Sequence, residues 1–200
     1  GALANALGRL NQYKSTSDVF RVIGNIDIDW NIRWVKGLRL HATGGYDWSK
    51  GEGKIFVPKE AFSYYTTGGR NYKYGPQKNH NRLLTVYANY NRDFESIKSN
   101  IDVTFGYDYQ YWQYTTPFYA ELNADGVQQS TSAATDQRHT LLSYYGRLNY
   151  TFMNRYLLTA TVRRDGSSRF SKNNRWGTFP SVALAWRVSQ ENFFEPVRAW

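Results

Sequence analysis

The chain has 200 residues, with 25 Lys and Arg against 16 Asp and Glu and a formal net charge of +9. It contains no cysteine, which excludes disulfides, iron–sulfur ligation and thiol catalysis. No window holds the roughly 18 consecutive apolar residues of a membrane helix, which excludes a helical membrane protein but not a β-barrel, whose apolar residues are diluted one for one by polar ones.

Residues 1–17 show no period and read as a lead-in. From 18 to 34 the even positions are Phe20, Val22, Gly24, Ile26, Ile28, Trp30, Ile32 and Trp34, while Asn25, Asp27, Asp29, Asn31 and Arg33 hold odd ones. Strand side chains alternate sides, so this run has one apolar and one polar face. It is also much longer than the usual strand of about 5–6 residues. A turn at Val35-Lys36-Gly37 leads to a second strand over 38–49, with Leu38, Leu40, Ala42, Tyr46 and Trp48 against Arg39, His41, Thr43 and Asp47. Residues 50–79, rich in Gly, Lys and Tyr, read as a long loop.

The same alternation recurs over 80–92, 100–112, 138–152, 156–167 and 175–188. The third strand sets Leu84, Val86, Ala88 and Tyr90 against Thr85, Tyr87, Asn89 and Asn91; the fourth sets Ile101, Val103, Phe105, Tyr107, Tyr109 and Tyr111 against Asp102, Thr104 and Asp108. The last three carry Leu142, Leu148 and Tyr150, then Leu158, Ala160 and Val162, then Val182, Leu184 and Trp186 on their apolar faces. Pro180 inside the seventh run predicts a bulge, because proline cannot donate to a ladder.

The connections alternate between short (35–37, 93–98, 153–155) and long (50–79, 113–137), with 167–174 intermediate. Outer-membrane barrels have tight periplasmic turns and long extracellular loops, so the short set is expected in the periplasm and the long set outside. Aromatics cluster near the strand ends, where amphipathic rings favour membrane interfaces. A soluble carbohydrate-binding β-sandwich also alternates, but has no reason to sort its loops by length. The fold expected is therefore all-β: a transmembrane antiparallel β-barrel wall of about seven consecutive strands. Both ends look cut, so the whole of 1–200 reads as one part of a larger barrel domain.

No catalytic constellation is present. His41, His80 and His139 are scattered, and neither a His-x-x-x-His pair nor a Gly-x-x-x-x-Gly-Lys loop occurs, so no enzyme activity, metal or cofactor is expected. The serines of Asp165-Gly166-Ser167-Ser168 sit at a hairpin end, where a packing role outweighs a nucleophilic one. Arg21, Asp27, Asp29, Arg33, Arg39, Asp102, Asp108, Arg147 and Arg163 share the predicted lumen face, as plug-facing or substrate-facing candidates. Tyr64, Tyr65, Tyr72, Tyr74, Tyr114, Phe118 and Tyr119 are candidates for stacking on substrate or meeting a lid protein. The basic loops suit the phosphates of lipopolysaccharide. No nucleic-acid motif is found, and none is expected as a partner.

The stretch Arg155-Tyr156-Leu157-Leu158-Thr159-Ala160-Thr161-Val162-Arg163-Arg164-Asp165-Gly166-Ser167-Ser168-Arg169-Phe170, continued by Asn173-Asn174-Arg175-Trp176-Gly177-Thr178-Phe179-Pro180-Ser181-Val182-Ala183-Leu184-Ala185-Trp186-Arg187, resembles the barrel signature of the SusC/RagA family. These are TonB-linked nutrient transporters of Bacteroidetes outer membranes. Residues 21–25, 37–38 and 45–47 are more loosely similar to the family's mid-barrel. The resemblance implies a barrel of about 22 strands around an N-terminal plug. It also implies a SusD-like lipoprotein lid, energy from the TonB complex, and a glycan or peptide as cargo. Neither plug nor TonB box lies in these residues. The alternative function is a passive porin or structural barrel.

Overall fold

The computed structural model describes residues 6–194, and most of them lie in strands. In chain order come a short helix α1 (Ala6–Gln12), β1 (Lys14–Asn31), β2 (Leu38–Val57), β3 (Arg70–Phe94), β4 (Ser99–Thr116), β5 (Tyr119–Leu122), β6 (Gln128–Ser132), β7 (Thr135–Phe152), β8 (Tyr156–Ser167) and β9 (Trp176–Trp186). Seven of them form one sheet in the order β1-β2-β3-β4-β7-β8-β9, and β5 pairs with β6 in a separate hairpin. Each sheet neighbour is thus the next strand in the chain once that hairpin is set aside. The β7–β8 and β8–β9 ladders are antiparallel and unshifted, from Leu141↔Ser167 to Phe152↔Tyr156 and from Tyr156↔Trp186 to Gly166↔Trp176.

The chain exposes 14476 Å², against about 9,700 Å² for a folded soluble monomer of its mass. Ile32, Val57, Ala61 and Tyr72 are the buried apolar side chains among the described residues. The apolar face is open instead: Phe105 is 67% exposed and Leu184 80%. A sandwich would cover such a face with a second sheet. Here the other sheet has strands of four and five residues, too small for that task. An apolar face left bare by its own chain is what a barrel wall presents to lipid.

Several expectations are corrected. The lead-in contains α1, and β1 starts at Lys14 and ends at Asn31, so Arg33 lies in the turn rather than on a strand face. The loop expected at 50–79 is mostly ladder, since β2 continues to Val57 and β3 begins at Arg70. Likewise β4 runs to Thr116 and β7 begins at Thr135, with the β5–β6 hairpin between them. Alternation fades where both faces of a strand meet water, but backbone pairing needs no lipid and carries on. No bulge marks Pro180. The ladder passes through Val162↔Pro180 without a shift, and β9 is the outermost strand of this sheet, where a missing N–H is tolerated.

Contacts group the described residues into two compact units. One holds 6–24, 46–81 and 112–138, with the longer connections and the β5–β6 hairpin. Its connection from β2 to β3 includes a 3-10 turn, Phe62–Thr67, closed by Gly68 and Gly69 at φ of 73° and 79°. The other unit holds 25–45, 82–111 and 139–194, with the short turns. In the β1–β2 turn, Gly37 adopts φ of 90° and accepts a hydrogen bond from the Asn91 N–H at 2.9 Å. A Cβ there would collide with the Asn91 carbonyl oxygen, so both the φ and the close approach call for glycine. Met153 and Asn154, both at positive φ, make the β7–β8 turn.

Candidate functional site

Two faces and one loop surface carry the chemistry. On the polar face of the second unit, Asp29 Oδ1 lies 3.0 Å from both Arg39 Nε and His41 Nδ1. His41 Nε2 meets Thr43 Oγ1 at 2.8 Å, and Thr43 donates to Asp27 at 2.6 Å. The His41 ring stacks on Tyr87 with centroids 4.7 Å apart, and Arg39 donates to the Tyr87 hydroxyl at 2.7 Å. Arg163 pairs with Asp165 at 2.8 Å and Asp108 at 3.5 Å, and donates to Ser143 at 3.0 Å. In the first unit Arg21 grips Asp47 in a two-pronged pair at 2.7 and 3.0 Å, with Asn81 donating to the same carboxylate at 3.1 Å.

Five of the nine polar-face candidates, Arg21, Asp29, Arg39, Asp108 and Arg163, are therefore neutralised by neighbours in the wall itself. Four are not. Asp27 takes hydrogen bonds from Asn25 and Thr43, and Asp102 from Asn89 and Asn91. Arg147 donates to Asn149 at 3.3 Å, and Arg33 is exposed in its turn. These four have no ion-pair partner among the described residues. Sequence reasoning placed Asp47 and Tyr87 on the polar face without singling them out. It missed Asp165 and Ser143 as partners because alternation tells which face a residue takes, not which residue stands beside it.

The apolar face has its own order. Arginines toward its ends rest against aromatic rings: Arg82 is 5.7 Å from the Tyr111 centroid, Arg164 is 5.3 Å from Trp176, and Arg92 is 5.3 Å from Phe94. Between Arg82 and Arg92 on β3 this face holds Leu84, Val86, Ala88 and Tyr90. Ten residues rise about 33 Å along a strand, or about 25 Å across a membrane at a tilt of about 40°, the height of a barrel's apolar band. On β8 the same interval runs from Tyr156, stacked on Trp186 at 6.4 Å, to Gly166. Trp176 lies flat on Gly166, where a Cβ would come within 2.8–2.9 Å of the indole. Tyr144 stacks on that indole at 6.0 Å.

Of the loop candidates, Tyr65 and Phe118 are 73% and 60% exposed, and the neighbouring Phe62, not anticipated, is 65% exposed. Tyr72 is buried and stacks on Tyr119 at 6.2 Å. Tyr74 and Tyr114 stand in β3 and β4 rather than in loops, and Tyr74 packs on Gly53. Tyr64 is held between Tyr13 and the Arg70 guanidinium.

Beyond β9, Glu191 is nearly buried and accepts from Trp186 Nε1 at 3.0 Å, the Tyr156 hydroxyl at 2.8 Å and Arg155 at 2.8 Å. These bonds, that from Trp186 foremost, hold its carboxyl below the usual glutamate range. Among the described residues no cluster of three or more His, Asp or Glu is placed to hold a metal ion.

Residues 3–198 match the family described as TonB dependent receptor-like, beta-barrel. The chain is 38% identical over 201 residues to the TonB-dependent receptor SusC of Bacteroides thetaiotaomicron, which covers 94% of this chain and 19% of SusC. It is 31% identical over 186 residues to the TonB-dependent receptor P39 of Formosa agariphila, covering 82% and 17%. Among solved structures it is similar to the RagAB peptide importer in its closed-closed state, with a TM-score of 0.77 at 20% identity over 92% of this chain and 21% of that one. That last likeness is one of fold. The chain spans less than a fifth of the length of these curated relatives. Sequence match, strand order and open apolar face agree: the chain belongs to the TonB dependent receptor-like β-barrel family, whose members are outer-membrane proteins of Gram-negative bacteria.

Proposed function

We propose that these strands are wall of an energised outer-membrane importer of the SusC type, in a Bacteroidetes-like cell. The apolar face meets lipid, and the polar face lines a transport lumen. The observation that carries this is the exposed apolar face of β3, bounded by Arg82 and Arg92, which differ by about 25 Å in depth across a membrane at the usual tilt. Between those two arginines that face carries no charge, and charge costs least at and beyond the rims.

On this reading, the self-paired charges of the polar face are structural. Asp27, Asp102 and Arg147 carry the charge left over for a plug or cargo. Tyr65 and Phe118 form part of the outer mouth, where a SusD-like lipoprotein delivers a glycan or a peptide; the likeness to SusC, and to a structure described as a peptide importer, supports an import role. Energy enters through the TonB complex, outside these residues. The test is uptake by intact cells of labelled maltooligosaccharides and tryptic peptides, with and without the full-length gene. An importer should concentrate one of these probes, and a protonophore should abolish the accumulation. Uptake that never exceeds equilibration and ignores the protonophore would replace the importer with a passive porin.

A further inference from the structure

Arg164 stands apart from the other charges of this wall. It is exposed on the apolar face, and its side chain makes no hydrogen bond or ion pair among the described residues. Its guanidinium lies 5.3 Å from the centroid of the Trp176 ring. A guanidinium resting on a ring keeps its in-plane N–H donors free, and that planar fork matches phosphate. Its ladder neighbours are Tyr144 on β7 and Thr178 on β9, both able to donate a hydroxyl.

Immediately along β8 the same face opens into a shallow apolar groove of about 270 Å³, lined by Phe105, Gly146, Leu148, Ala160, Val162 and Val182. The groove exists because Gly146 and Ala160 are small between larger flanks. A cationic head with free donors therefore adjoins an elongated greasy trough, at the end of β8 farther from the Asn154 turn. Water fits the trough badly, and a soluble anion would leave it empty. A molecule with a phosphate and an acyl chain fills both parts.

Building on the wall reading, we infer that Arg164, Trp176 and this groove seat one phosphate-bearing lipid of the outer leaflet, its phosphate on Arg164 and one acyl chain between Phe105 and Val182. Trp176 positions the guanidinium, and Gly166 lets Trp176 lie flat beneath it. Charge complementarity selects an anionic headgroup, and the depth of Arg164 at the rim places that headgroup among its own kind.

The experiment uses the full-length protein in mild detergent and native mass spectrometry. The probes are a bis-phosphorylated lipid A, the same lipid with its phosphates removed, and inorganic phosphate. Wild type should bind the phosphorylated lipid at least about tenfold more tightly than Arg164→Gln, with Arg164→Lys between them. The dephosphorylated lipid should bind both alike, and Val182→Trp, which fills the trough, should weaken both lipids. Heat-modifiable gel mobility confirms that each variant is folded. Unchanged affinity in Arg164→Gln overturns the seat. Equal weakening for both lipids overturns the phosphate contact, displacement by millimolar inorganic phosphate shows a free-anion site instead, and intact binding in Val182→Trp removes the groove. Failure of the wall reading is separately visible, as normal assembly of Phe105→Arg.

Discussion

Arginine introduced at Phe105 measures what the apolar face touches. The Phe105 ring lies 3.2 Å from the Cβ position of Gly146, and the side chain shares a groove with Ala160 and Val162. Those two residues straddle the midpoint of the ten-residue interval between Tyr156 and Gly166, which puts Phe105 about 12 Å from either rim. At 67% exposure the ring contributes little to packing within the sheet, so the penalty comes from lipid. Arginine at the midplane of a barrel costs about 2–4 kcal/mol, a factor of about 30 to 900 in the folding equilibrium. Tyr109→Arg, two same-face positions nearer the rim, should cost about 0–1 kcal/mol. Thr104→Arg on the polar face loses the hydrogen bond from Asn89 at 2.9 Å, about 0.5–1.5 kcal/mol. The assay is urea unfolding of the full-length protein in lipid vesicles, followed by heat-modifiable mobility. The order Phe105 worse than Thr104 and Tyr109 is expected. Equal damage at 104 and 105, or a stable Phe105→Arg, would refute the assignment of faces.

Gly166→Leu should lift the Trp176 indole off the sheet, costing about 1–3 kcal/mol and changing the near-ultraviolet circular dichroism, whereas Ser168→Ala should leave that signal unchanged. The Glu191 carboxyl sits below its unfolded value, so its contribution is complete above about pH 4.3 and is lost as pH falls through the folded value. Hydrogen exchange over 188–194 should therefore accelerate between neutral pH and the acid range beyond the intrinsic trend, and Glu191→Gln should remove that excess. Single cysteines at Ser130 and Lys36, both exposed, report sidedness. On intact cells lacking the proposed lid protein, Ser130→Cys should react with an impermeant thiol reagent, and Lys36→Cys should react only after permeabilisation; the reverse would invert the topology.

The apolar stretches were legible because a face that must stay apolar imposes period two: Phe20 to Trp30 and Leu84 to Ala88 announce their strands from sequence alone. Lys50-Gly51-Glu52-Gly53-Lys54 belongs to the same β2 ladder, yet shows no period because neither of its faces must exclude water. The polar face was legible as a face and not as a set of pairs. Asp47 could be assigned a side, but its bond to Arg21 depends on the stagger of β1 against β2, and no composition rule supplies that. That Tyr72 is buried against Tyr119 while Tyr65 is exposed is equally invisible, since all three are tyrosines in polar sequence.

Because strand order in the sheet follows chain order, each ladder can close as soon as its second strand arrives, hairpin by hairpin. The single detour, between β4 and β7, is occupied by β5 and β6 paired with each other, so it is bridged by a self-contained piece rather than a slack loop. The entropic cost of closing a connection grows only slowly with its length. Insertions between β2 and β3 or between β4 and β7 would thus leave the registers of the wall untouched. The ladders and the connections are separable in such a chain: the sheet can be inherited nearly intact while its longer connections are rebuilt.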